Sequence, residues 1–284
     1  MPARTVANQD VVDSAGWERI VDSFGGVEFV VGVTRRAHQV ILEVYSRSHI
    51  YEQQKENGSP VSEADLAAAA LIERELSVTG IPVVCEESVT SDSVSGPLFW
   101  LVDPLDGTKE FLAKNGEFTV NIALVYQGTP VLGVIGIPVT DEVYAAVKGQ
   151  GACRIVAGTT TKITNTRGTS SLIAAVSRSH GSDAGDAWLE RFGVTEKIRC
   201  GSAIKFCRVA EGRADLYVRF GRTMEWDTAA GHCLLEECGC KLVVAESGEP
   251  LGYGKSGFDN PSFIACRGDL NVAPGSEGPL VGNL

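Results

Sequence analysis

The stretch Trp100-Leu101-Val102-Asp103-Pro104-Leu105-Asp106-Gly107-Thr108-Lys109-Glu110-Phe111 constrains the fold more than any other part of the chain. It opens as an apolar run, the pattern of a strand buried on both faces, and then meets a proline flanked by two carboxylates. Pro104 has no N–H and is expected to end the ladder there. Gly107 then permits a turn that a residue with a Cβ would resist. Asp103 and Asp106 stand three positions apart on that bend, at the mouth of the strand. Two carboxylates held close repel each other and lose hydration unless a cation lies between them. Hard oxygen donors suit Mg2+, which keeps coordination positions open for water and phosphate oxygens. An Asx turn closing a strand would use the same Asp-Gly dipeptide, so the rest of the chain decides between a turn and a metal site.

Residues 1–26 are poorly periodic and are expected to form a lead-in with one short helix. Phe29, Val30, Val33, Ala37, Val40, Ile41 and Val44 then recur at helical spacing and predict an amphipathic helix over 27–45. Ser62, followed three residues later by Asp65 and then by the run Leu66–Leu76, reads as a capping box opening a second helix. Asp65 therefore has a structural role available. Ile81–Cys85 reads as a short strand, with Glu86-Glu87-Ser88 at its end. Glu87 is expected to be solvated. Two β runs, 117–126 and 130–137, are joined through Gln127-Gly128-Thr129 as a hairpin, and 143–147 pairs with 152–156.

The polar stretch 159–170 is the best boundary. It divides an N-terminal α+β half, 1–168, which carries most of the carboxylates, from a C-terminal α/β half, 169–284. In the second half, strands at 172–176, 197–200, 216–220, 241–245 and 263–266 alternate with helices at 184–192, 203–211 and 227–237.

Net charge is −11, which argues against a nucleic-acid groove with its basic stripe. No apolar run approaches the ~18–20 residues that cross a bilayer, and the N-terminus lacks a basic and then apolar leader. A cytoplasmic protein with neither membrane nor nucleic-acid partner is expected. The eight cysteines contain no CxxC pair, and Cys238-Gly-Cys240 lacks the further ligands of a zinc site. Reduced core thiols are the expected state.

Glu86-Glu87-Ser88, the Asp103–Thr108 bend and Glu225-Trp226-Asp227-Thr228-Ala229-Ala230-Gly231 occur in that order. The set resembles the lithium-sensitive, Mg2+-dependent phosphatases related to inositol monophosphatase. Inositol monophosphatases tend to carry Asn-Phe where this chain has Lys109-Glu110-Phe111. That variant, with Ser177–His180, Gly201–Cys207, Ala210–Tyr217 and Leu251–Lys255, resembles the 3′(2′),5′-bisphosphate nucleotidase branch. The resemblance runs from about Phe29 to Ala265.

It implies an α/β (α+β) fold, a layered α-β-α-β-α sandwich. It also implies that Glu86, Asp103, Asp106, Asp227 and the backbone carbonyl of Leu105 ligate two or three Mg2+ per active site. Thr108 and Asp65 would position and deprotonate a metal-bound water, and the N–H groups of Gly107 and Thr108 would bind phosphate oxygens. Ser179, His180, Ser202, Lys205, Arg219 and Asp227 would hold the substrate, with Arg219 at the retained 5′-phosphate. His232 reads as a packed residue, and Cys85 stands where the family usually has Gly or Ser.

The implied reaction is hydrolysis of the 3′-phosphate of adenosine 3′,5′-bisphosphate (PAP) to AMP, with its sulfated analogue PAPS as an alternative substrate. Li+ inhibition, a place in sulfur metabolism and a monomer or homodimer follow from the same resemblance. Besides a metal-carboxylate nuclease, which the acidic balance opposes, two rivals stand beside this reading. One is an inositol monophosphatase or inositol polyphosphate 1-phosphatase. The other is a non-catalytic nucleotide sensor, which would have lost a ligand acid or Thr108.

Overall fold

A computed structural model describes residues 16–272 except 56, 57, 59, 91–95, 167, 169, 170 and 180–182. Helices α1 (Gly16–Ser23) and α2 (Gly26–Tyr45) lead into a small hairpin, β1 (Glu52–Gln54) and β2 (Pro60–Ser62), and then α3 (Glu63–Leu76). Strands β3 (Val83–Cys85) and β4 (Leu98–Asp106) follow, then the short α4 (Thr108–Leu112). An antiparallel run β5 (Thr119–Tyr126), β6 (Thr129–Ile137), β7 (Glu142–Val147), β8 (Gly151–Val156) and β9 (Thr159–Ile163) completes a seven-stranded sheet in chain order.

The remaining elements are β10 (Leu172–Ser177), α5 (Asp183–Arg191), β11 (Val194–Cys200), α6 (Ile204–Ala210), β12 (Leu216–Arg219), α7 (Glu225–Glu237), β13 (Cys240–Val244) and β14 (Phe263–Arg267). They build a five-stranded sheet in the order β11-β10-β12-β14-β13. β11, β10 and β12 run parallel there, and β14 pairs antiparallel with both β12 and β13.

The layers follow from which faces are apolar. α2 and α3 cover one face of the large sheet, burying Val30, Val33, Ala37, Ile41, Ala68 and Ile72. α7 and α6 lie between the two sheets, and α5 covers the outside of the smaller one, giving the α-β-α-β-α order. α7 is buried nearly all round, from Trp226 and Thr228 through Leu235, as a helix sandwiched between sheets must be. β6 accommodates a helix on each face through glycine. A Cβ at Gly133 would lie 2.6 Å from the Ala230 carbonyl of α7, and one at Gly136 would lie 2.1 Å from His38 Nε2 of α2.

Three expectations need correction. Pro104 does not end the ladder: β4 continues to Asp106, and the register against β5 slips between Asp103 and Asp106. The extra residue forms a bulge, which absorbs the missing N–H and bends the strand. The polar stretch 159–170, read without a strand, contains one, because its first five residues form β9. This edge strand carries Thr and Lys because four of its five residues face solvent. Glu87 is not solvated. Its side chain is 6% exposed and accepts from Lys55 Nζ at 2.8 Å.

Candidate active site

The bulge in β4 turns Asp103 and Asp106 towards one cavity of about 240 Å3. Glu86 reaches it from the end of β3, where its N–H donates to the Val102 carbonyl of β4. Asp227 reaches it from the first turn of α7, where its Oδ2 accepts from the Met224 N–H at 2.7 Å. Carboxylate oxygens of Glu86, Asp103 and Asp227 lie within 4.8 Å of one another.

Asp106 lines the same cavity, but its Oδ2 accepts from Ser202 Oγ at 2.6 Å. The cost of this crowding falls on Asp103 and Asp227. Burial pushes the Asp103 carboxyl well above the usual range, and Glu86, Asp106 and Asp227 push it further. Burial likewise raises Asp227, with Asp106 and Glu86 adding and the Met224 N–H opposing. An all-oxygen, multiply anionic donor set of this kind fits a hard divalent cation, which would remove the repulsion. Leu105 lines the cavity beside it, and its N–H donates to Asp103 Oδ1 at 3.0 Å.

Lys55, just after β1, donates to Glu86 Oε1 at 2.7 Å as well as to Glu87. Burial disfavours its ammonium, but the two carboxylates outweigh burial and raise it. Burial, opposed by the Lys55 hydrogen bond, pushes Glu87 up to about 7. Cys85 is buried, and desolvation pushes its thiol up to about 12, so it is not a reactive neighbour of Glu86.

Asp65 sits behind the cavity wall and is 1% exposed. Its Oδ2 accepts from the Ser62 N–H at 2.8 Å and from Ser62 Oγ at 2.6 Å, closing the capping box of α3. Its Oδ1 accepts from Thr108 Oγ1 at 3.0 Å. Burial raises the Asp65 carboxyl, while the Ser62 and Thr108 donors hold it down. Thr108 and Gly107 line the cavity directly.

The opposite wall comes from the smaller sheet and α6. Ser202 adopts a left-handed conformation, φ 52°, and its hydroxyl lies 2.5 Å from Thr119 Oγ1 as well as on Asp106. Lys205 is 4% exposed. Its Nζ donates to the Ser202 carbonyl at 2.5 Å and lies 5.2 Å from the centre of the Tyr217 ring. Burial lowers its pKa, with Asp106 opposing. Arg219, at the end of β12, completes this wall with Arg222 beyond it.

Ser179 does not line the cavity; its hydroxyl donates to Glu110 Oε1 at 2.6 Å, and Glu110 does line it. His180 lies outside the described residues. His232 is buried, with Nδ1 3.0 Å from the Tyr253 hydroxyl, and is the packed residue expected.

Sequence reasoning missed Lys55, Glu110, Glu117, Tyr217 and Arg222. Glu117 accepts a fork of hydrogen bonds from Arg178 at 2.6 and 2.7 Å and another from the Gly201 N–H. It thereby ties the start of β5 to the turn that carries Ser202. Glu110 carried a signal in the Lys109-Glu110-Phe111 variant and Tyr217 in the Ala210–Tyr217 segment; Lys55, Glu117 and Arg222 are charged residues outside the strands and helices.

The sequence profile of the inositol monophosphatase family matches residues 26–267. A 3′(2′),5′-bisphosphate nucleotidase CysQ of Salmonella typhimurium is 42% identical over 243 residues, covering 84% of this chain and 98% of that protein. A protein of the same name from Escherichia coli is 40% identical over 240 residues, covering 82% of this chain and 96% of that protein. Among solved structures, CysQ from Bacteroides thetaiotaomicron superimposes with a TM-score of 0.77. It has 37% identity and covers 85% of this chain and 97% of that one.

Proposed function

The chain belongs to the inositol monophosphatase family, and on that premise we propose that it is a Mg2+-dependent phosphatase that removes the 3′-phosphate of adenosine 3′,5′-bisphosphate. The products are AMP and inorganic phosphate. The observation that carries this reading is a single cavity joining the carboxylate cluster to a basic wall.

Charge balance supports a substrate with two phosphates. Glu86, Asp103, Asp106, Glu110 and Asp227 oppose Lys109, Lys205, Arg219 and Arg222 on the lining, a formal −1. About two divalent cations would bring the site to roughly +3. Two phosphate dianions bring about −3 to −4, so the substrate neutralises the loaded site.

Glu86, Asp103, Asp106 and Asp227, with the Leu105 carbonyl, would hold the Mg2+ ions. When bound, these supply Lewis-acid charge at the phosphoryl oxygens and lower the pKa of water. Thr108 gives its hydroxyl hydrogen to Asp65, so its oxygen lone pairs remain free to accept from the attacking water. The water proton passes to Thr108 Oγ1 as the threonine proton passes to Asp65 Oδ1. Water oxygen bonds to phosphorus, and the bond from phosphorus to the ribose oxygen breaks. That oxygen leaves as the 3′-hydroxyl by taking a proton from a second, solvent water, whose hydroxide is neutralised by the proton that Asp65 returns to solvent. Lys205, Arg219 and Ser202 hold the retained 5′-phosphate and so set the reach of the 3′-phosphate to the carboxylates.

The test is phosphate release from adenosine 3′,5′-bisphosphate with Mg2+, with chelator and with Li+. Turnover that needs Mg2+, falls with Li+ and is lost in Asp106→Asn supports the reading. Mg2+-independent turnover, or full activity in Asp106→Asn, overturns it.

A further inference from the structure

Arg222 lines the cavity at its rim, with its side chain 64% exposed. Its Nε donates at 2.6 Å to Asp259 Oδ1, itself 52% exposed. An ion pair this open to water contributes little to stability, and neither residue is needed to hold the backbone around it. That backbone is fixed by other bonds. Asn260 N–H donates to the Thr223 carbonyl, and its side-chain amide donates to the Met224 carbonyl at 2.7 Å and to Thr228 at 3.0 Å. Glu225 N–H donates to the Phe258 carbonyl, and Met224 bridges Asp259 in antiparallel fashion. The two segments are pinned, and only the two side chains stand free to change partner.

A guanidinium at a cavity mouth held by a lone carboxylate is poised for a stronger anion. A phosphate dianion offers more charge and the same forked geometry to Arg. We infer that Arg222 is a specificity-determining residue that exchanges Asp259 for the non-reacting phosphate of the substrate, with Asp259 occupying the guanidinium until that phosphate arrives. The inference rests on the bisphosphate reading above and deepens it. Lys205, buried at the cavity wall, meets that phosphate from inside while Arg222 closes on it from the rim. A substrate with only the reacting phosphate leaves Arg222 on Asp259 and gains nothing from it. Asp259 is then a competitor, and its removal strengthens binding of the bisphosphate.

The test uses the wild type, Arg222→Met, Asp259→Asn and the double variant, each with adenosine 3′,5′-bisphosphate and adenosine 3′-monophosphate. In Arg222→Met, KM for the bisphosphate rises by about 10- to 100-fold, the range for one charged hydrogen-bonding partner. That rise exceeds the rise for the monophosphate at least about tenfold. Asp259→Asn lowers KM for the bisphosphate several-fold, and that gain disappears in the double variant. Equal penalties on both substrates, or a gain from Asp259→Asn that survives without Arg222, overturn the inference.

Calorimetric titration of the same four proteins with adenosine 3′,5′-bisphosphate separates this inference from the reading beneath it. Tight binding that depends on Arg222 without turnover refutes the phosphatase reading and upholds the role of Arg222. Turnover and binding indifferent to Arg222 do the reverse. No binding by the wild type refutes both.

Discussion

Asp65→Asn separates two jobs that one carboxylate combines. Two donors, the Ser62 N–H and hydroxyl, converge on Oδ2, and one, the Thr108 hydroxyl, meets Oδ1. Asn has the same shape but only one acceptor end. Its carbonyl oxygen takes the Ser62 side, where two bonds are at stake, so the cap of α3 survives. Its NH2 then faces Thr108 and reverses that hydrogen bond: the threonine oxygen accepts, and its hydrogen turns into the cavity.

The stability cost is small. The loss of a negative charge in the first turn is worth about 0.3–1 kcal/mol. It is offset by removal of a buried charge whose burial already raises its pKa. The melting temperature stays within about 4 °C of the wild type. Turnover has no such offset, because the proton acceptor and the orientation of Thr108 go together. kcat falls by about 10²–10⁴, the usual worth of a general base. Phosphate release under saturating substrate, beside differential scanning calorimetry, reads both. A kcat within about threefold of the wild type at unchanged melting temperature would show that Asp65 is only a cap, and the reasoning would fail.

Three further outcomes follow from particular contacts. In Gly136→Ala the new methyl meets His38 Nε2 at 2.1 Å and Thr34 Cγ2 at 2.4 Å, so α2 must shift off β6. Denaturant unfolding should show a loss of about 1–3 kcal/mol. His38 is 3% exposed, and burial lowers its pKa from 6.5 to about 4. It stays neutral in the fold while the unfolded chain protonates near pH 6.5. Stability is therefore unaffected by this group above pH 6.5 and declines as pH falls towards 4, by up to about 3 kcal/mol. Urea unfolding at pH 7 and pH 4.5 should show a smaller decline in His38→Gln than in the wild type. Lys205→Met removes a buried amine whose charge burial disfavours, so it leaves stability level or raised. It raises KM for adenosine 3′,5′-bisphosphate by about tenfold or more, measured by initial rates.

The sequence carried most of the frame because the frame is written in local periods. The spacing of Val30, Val33, Ala37, Ile41 and Val44 foretold the buried face of α2, and Ser62 with Asp65 foretold its neighbour's cap. The Asp103–Thr108 bend was legible because its chemistry is contiguous, and Asp227 because it opens a helix within a recognisable motif. β9 escaped because an exposed edge strand needs no apolar alternation. Pro104 misled because a bulge spares the strand that a proline would otherwise stop.

Lys55 on Glu86, Ser179 on Glu110 and Arg178 on Glu117 join residues 31, 69 and 61 positions apart. No local pattern encodes such pairs: the small hairpin folding onto β3 makes the first, and the packing of the two sheets makes the other two. Glu87 shows the same limit: its neighbours in sequence read as a solvated strand end, and Lys55 from a distant hairpin buries it.

The most direct test of the account compares kcat/KM for adenosine 3′,5′-bisphosphate and inositol 1-phosphate, side by side in Mg2+. Both esters can use the carboxylate cluster, but only the nucleotide carries a second phosphate for Lys205, Arg219 and Arg222. One or two charged hydrogen bonds to that group predict a preference for the nucleotide of about 10²-fold or more. Equal rates, or a preference for the inositol ester, would leave the metal cluster in place and contradict the assignment of the basic wall.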